Sequence, residues 1–168
     1  RTVQTPVRVT DEHGLTNLSE RVYRIEVVTD QPPTVAMVQP SADEAVLATA
    51  TVPLEALAQD DFAVESVAIE MQRTAKSQGG AVAGGEVVPL KQVTGRGNRL
   101  GVDQELELTP LAVQPGDELW LAAVARDGFE LDGKRHDPVR STPRRLRVID
   151  RAMLVSQIRN DLGVVRQQ

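Results

Sequence analysis

Hydrophobic and polar positions alternate with a period of two over most of the chain. This predicts strands, because successive side chains of a strand point to opposite faces. Val3–Thr10 is the first, with Val7 and Val9 in alternation and Pro6 marking an edge, since proline cannot donate to a ladder. Asp11-Glu12-His13-Gly14 signals a turn. Arg21–Val28 follows, with Tyr23, Ile25 and Val27 on one face and Arg24 and Glu26 on the other. Thr29-Asp30-Gln31-Pro32-Pro33 then stops the sheet, and its two prolines make a short, stiff linker.

A second run of strands lies beyond that linker. Val35–Val38 is short, and Ala50–Ala58 alternates Val52, Leu54 and Ala56 until Gln59-Asp60-Asp61 breaks it. Glu65–Gln72 turns Val67, Ile69 and Met71 inward. Lys76–Gly85, with four glycines, is expected to be a hairpin loop. Val87–Val93 contains Pro89 and reads as an edge, Leu100–Leu108 follows, and Pro115-Gly116 is a tight turn. Glu118–Arg126 is apolar on both faces and is expected to be central, with Trp120 in the core; Arg144–Ile149 closes the set. From Asp150 the period becomes 3.6, with Leu154, Ile158, Leu162 and Val165 on one face and Asp150 as N-cap.

One strand pair recurs. Val7-Arg8-Val9-Thr10-Asp11 with Ile25-Glu26-Val27 and Asp30 parallels Ala123-Val124-Ala125-Arg126-Asp127 with Leu146-Arg147-Val148 and Asp150. The second copy has a loop five residues longer. Residues 1–30 are therefore expected to be the closing strand pair of one module and residues 31–149 a complete copy. Residues 150–168 would start a helical region. A start without methionine and a stop inside a helical pattern read as an excerpt of a longer protein.

Composition narrows the chemistry. Of 168 residues, 24 are valine, only Tyr23, Phe62, Trp120 and Phe129 are aromatic, and none is cysteine. Thiolate metal sites and disulfides are thereby excluded. The net charge of −5 hides a division: nine carboxylates and no Lys or Arg between Glu26 and Gln72, then seven basic residues between Lys134 and Arg151. This suggests oppositely charged ends that help neighbouring modules stack. A negative chain with so few stacking rings is not expected to bind nucleic acid. No apolar run approaches the roughly 20 residues of a membrane-spanning helix, so no membrane contact is expected of this segment.

Val22-Tyr23-Arg24-Ile25-Glu26-Val27-Val28-Thr29-Asp30-Gln31-Pro32-Pro33-Thr34-Val35 resembles the joint between tandem bacterial Ig-like domains. Val52-Pro53-Leu54 with Ala58-Gln59-Asp60-Asp61-Phe62-Ala63-Val64 resembles the same, and Pro115-Gly116-Asp117-Glu118-Leu119-Trp120-Leu121 followed by Ala125-Arg126-Asp127 resembles the penultimate strand of Ig, fibronectin type III and cadherin-like modules. The resemblance implies an all-β, Ig-like antiparallel β-sandwich with a C-terminal helix. Such modules stand in large, membrane-anchored envelope proteins of unknown function, which implies a periplasmic or extracellular location. Their partners would be neighbouring domains of the same chain and other envelope proteins, and the helix would dock on the domain or self-associate.

Cadherin joints hold calcium through clustered acids, and Asp30, Asp60, Asp61 and Asp127 occupy the matching positions. A hard cation needs six to eight oxygens. The alternative is that these aspartates shape turns through side chain to backbone bonds. Calcium aside, no cofactor is expected. No catalytic constellation emerges either. His13 and His136 sit in polar turns far apart, Ser141 and Asp137 flank His136 only locally, and Gly95-Arg96-Gly97 lacks a phosphate-loop continuation. The expected function is a non-catalytic spacer or protein-contact module. The alternatives are an accessory domain of a polysaccharide-acting enzyme and a calcium-dependent adhesion module.

Overall fold

The computed structural model describes residues 2–17, 21–76, 82–156 and 159. The chain divides into two compact units, Arg1–Asp30 and Gln31–Gln168. In the first, β1 (Thr2–Val7) and β2 (Arg21–Glu26) pair antiparallel, with Val3 opposite Ile25 and Thr5 opposite Tyr23. Oδ1 of Asp11 accepts from the amides of His13 at 2.9 Å and Leu15 at 2.8 Å. Gly14 takes the φ of 78° that this turn requires.

The second unit is built from β3 (Thr34–Gln39), β4 (Glu44–Leu47), β5 (Thr51–Lys76), β6 (Val82–Glu107), β7 (Glu118–Asp127), β8 (Val139–Arg140) and β9 (Arg144–Ile149). Strands β5 and β6 each run for 26 residues and each serve two sheets. Residues 51–59 of β5 pair with β3 and with residues 99–107 of β6. Residues 64–76 pair with β7 and with residues 82–97 of β6. Strand β7 continues to β9 and the short β8, and β4 lies parallel to β9. The sheet β3-β5-β6 thus faces the sheet β6-β5-β7-β9-β4 in an Ig-like antiparallel β-sandwich.

Three expectations need correction here. Gln59-Asp60-Asp61 does not end a strand; the register shifts between Gln59 and Val64, and the backbone stays extended through an irregularity of bulge type. Lys76–Gly85 is not a loop throughout, because β6 begins at Val82 and places Gly84 opposite Thr74; residues 77–81 lie outside the described residues. A Cβ on Gly85 would stand 2.1 Å from the carbonyl oxygen of Arg73, so glycine serves close strand approach at that position. Trp120 is not in the core. It shares β7 with fully buried Leu119 and Leu121, and the period of two turns it to the outer face, where it is half-buried.

The core lies between the sheets. Leu54, Ile69, Leu119, Leu121 and Leu146 are buried to within 2%, and burying each such side chain is worth about 1.5–3 kcal/mol. Val35 is half-buried against this cluster. Gln114-Pro115-Gly116-Asp117 forms a type II turn: the Asp117 amide donates to Gln114 O at 2.9 Å, and Gly116 has φ 102°. Arg73 clamps this turn, donating to Leu111 O at 3.0 Å and to Oδ2 of buried Asp117 at 2.7 Å.

The acidic and basic stretches touch at two points. Arg140 pairs with Glu70, and Arg145 reaches Asp43 at 3.4 Å; Arg145 also lies 3.5 Å from Glu118 at the start of β7. After β9, residues 151–156 are helical. Oδ1 of Asp150 accepts from the Met153 amide at 2.7 Å and caps this turn. Ile158, Leu162 and Val165 lie outside the described residues.

Candidate functional site

The end of the sandwich where β5 bends and β7 stops gathers most of the singled-out side chains. Oδ2 of Asp60 accepts from the amides of Phe62 at 3.3 Å and Ala63 at 2.7 Å, which shapes the bend. Asp60 Oδ1 is buried and has no hydrogen-bond partner. Asp61 and Phe62 project from the bend, the phenyl ring 75% exposed. Val64 then pairs with Asp127, and the Gly128 amide donates to Ala63 O at 3.1 Å, tying the end of β7 to the same bend.

Asp127 is buried. Its Oδ1 accepts from the Phe129 amide at 3.3 Å, and its Oδ2 lies 2.6 Å from Nδ1 of His136. The His136 ring stacks on Phe129, with centroids 4.5 Å apart and planes 13° apart. Sequence reading did not find this trio. His136 follows Asp127 by nine positions of irregular chain, and no periodicity connects them.

Of the four candidate calcium ligands, Asp60, Asp61 and Asp127 belong to this end of the second unit, and Asp30 closes the first. Among the described residues, no group of three metal-competent side chains includes Asp60 or Asp61. Both oxygens of Asp127 and one of Asp60 face hydrogen-bond donors of the protein. Oδ2 of Asp60 and Oδ1 of Asp127 accept from backbone amides two or three residues on, as turn-shaping carboxylates do.

A surface hollow of about 550 Å³ opens beside the bend, lined by Phe62, Glu65, Arg96, Gly97 and Arg135. Arg135 donates through Nε and Nη2 to Oε2 of Glu130. That hydrogen bond and charge, with Glu65 adding, raise Arg135 above its ordinary value. The guanidinium is therefore a permanent cation at the rim.

On the outer face of the second sheet, a smaller hollow of about 160 Å³ is lined by Glu70, Gln72, Trp120, Arg140 and Ser141. The Arg145 guanidinium carbon lies 5.7 Å from the Trp120 ring centroid, a cation–π contact from the neighbouring strand. The Ser141 hydroxyl accepts from the Ala123 amide at 3.0 Å and donates to Thr142 O at 3.2 Å, which holds the chain against β7. His13 is exposed beside Glu12 in the first unit.

No family model and no curated protein matches the chain. Among solved structures, a fibronectin(III)-like module structure of Clostridium thermocellum CbhA is similar at 15% identity and a TM-score of 0.38. That match covers 89% of this chain and 63% of the other. Pseudomonas fluorescens alkylpurine DNA glycosylase AlkC, bound to DNA containing an abasic site analog, is similar at 13% identity and a TM-score of 0.38. It is matched over 69% of this chain and 30% of its own. Both scores are too low to add to the description of the fold, which rests on the strand pairing.

Proposed function

We propose that residues 31–149 are a non-catalytic spacer and contact module of a larger bacterial envelope protein, located in the periplasm or outside the cell. One observation carries the reading: the chain enters and leaves this sandwich at opposite ends. Thr34 at the entry pairs with Gln59, beside the bend that meets Asp127 at the end of β7. At the exit, the Val148 amide donates to Asp117 O, next to Glu118 at the start of β7. Strand β7 has 10 residues, and at roughly 3.3 Å per residue the two ends stand about 30 Å apart. A module threaded this way adds its length to whatever precedes and follows it. Pro32 and Pro33 stiffen the approach, and the Asp150 cap starts a helix directly at the exit.

A replacement experiment in the source organism tests this, read on the phenotype that deletion of the gene produces. A spacer keeps its function when residues 31–149 give way to an unrelated sandwich of equal length and similar threading. It loses function when they are removed. Equal loss in both strains sinks the spacer reading and points to a specific surface on this module.

A further inference from the structure

Among the described residues of the first unit, the hairpin β1–β2 carries an apolar face that stays exposed. Val3 and Val7 on β1 and Tyr23 and Ile25 on β2 lie on that face, exposed by 40%, 37%, 52% and 52%. Gln4, Arg24 and Glu26 lie on the other. A sheet with one apolar face must bury it against another layer, and a lone two-stranded hairpin is marginal in water.

The second unit shows what such a layer looks like, because its closing strands pair in the same register. Val3 precedes Asp11 by as many positions as Leu119 precedes Asp127. With the first strands aligned in this way, the Val3–Ile25 pair falls on Leu119–Leu146, and Thr5–Tyr23 falls on Leu121–Arg144. The turn chemistry matches as well: Asp11 accepts from the amide two residues on, as Asp127 does. Val7 corresponds to Ala123. In the second unit Leu119, Leu121, Ala123 and Leu146 are all 0% exposed, in one core cluster with Val52, Leu54 and Leu106 of the opposing sheet.

We infer that residues 1–30 are the last two strands of another β-sandwich, and that the Val3, Val7, Tyr23 and Ile25 face docks an antiparallel sheet with an alternating aliphatic face. That sheet is the counterpart of β3, the first half of β5 and the second half of β6. It is supplied by the same polypeptide on the N-terminal side of the hairpin. This inference rests on register and exposure within the first unit and is independent of the spacer reading.

The test compares this chain with one lengthened by about 90 residues of the gene's own upstream codons, roughly the missing part of an Ig-sized module. Hydrogen exchange is read on β1 and β2. The lengthened chain slows the amides of Thr2–Val7 and Arg21–Glu26 by at least about a hundredfold, because they join a cooperative core. In the lengthened chain, Ile25→Lys abolishes that protection, whereas Arg24→Ser on the opposite face keeps it. Unchanged exchange in the lengthened chain, or equal loss in both variants, overturns the inference. So does a concentration-dependent dimer of the 168-residue chain that protects the hairpin as fully, since a second copy would then be the occupant.

Discussion

The Asp127 carboxylate sits 2.6 Å from Nδ1 of His136, beneath an imidazole that stacks on Phe129. Asp127 ends β7, and only 3% of its side chain is exposed. His136→Ala removes a partner from a buried acid. A buried acceptor left without one costs about 1–3 kcal/mol. Urea unfolding of the variant is therefore expected to show a loss of about 2 kcal/mol. His13→Ala, at an exposed turn, is expected to change stability by less than about 0.5 kcal/mol.

Arg73, partly exposed, and buried Asp117 form a second anchor. Asp117 accepts from Arg73 and from the Gln114 amide, and its side chain is 10% exposed. Arg73→Ala leaves that carboxylate only the Gln114 amide and, with the guanidinium partly in solvent, is expected to cost about 1 kcal/mol. The double variant with Asp117→Ala should be less destabilised than the sum of the single variants. A double-mutant cycle showing strict additivity would mean the two groups do not interact in solution.

Calcium distinguishes the adhesion reading. The oxygens of Asp127 and Oδ2 of Asp60 already face protein donors. Millimolar calcium is expected to leave the melting temperature of the chain unchanged. A rise of several degrees, reversed by chelator and lost in Asp127→Asn, would instead establish a cation site.

Trp120 distinguishes the carbohydrate reading. It is the sole tryptophan, so its emission reports on the outer-sheet hollow without labelling. With Arg145 over the ring and only partial exposure, cello-, xylo- and chito-oligosaccharides are expected to leave its spectrum unchanged. Saturable quenching lost in Gln72→Ala would make this hollow a saccharide site.

Much of the fold was legible because alternation is a local property. Val67, Ile69 and Met71, or Leu119 and Leu121, declare their inward face from sequence alone. The partners of β5 were not legible. A bend that keeps the chain extended looks like a break when it holds Gln59-Asp60-Asp61, and Gly84 and Gly85 look like a loop even where they sit in a strand. Strand β4 spans only Glu44–Leu47 and pairs in parallel with distant β9, which leaves no local mark. At the candidate site, Asp60 and Asp127 stood out as acids at strand ends. Their backbone-amide partners match the turn-shaping alternative, whereas the His136 partner of Asp127 depends on a loop path that residue types do not encode.

The sharing of β5 and β6 between the two sheets bears on how the second unit comes apart. In a sandwich whose sheets are joined only by loops, one layer can loosen while the other holds. Here each layer contains half of the same two ladder-paired strands, so disordering either one pulls on the other through continuous backbone. The unit is therefore expected to unfold in one cooperative transition.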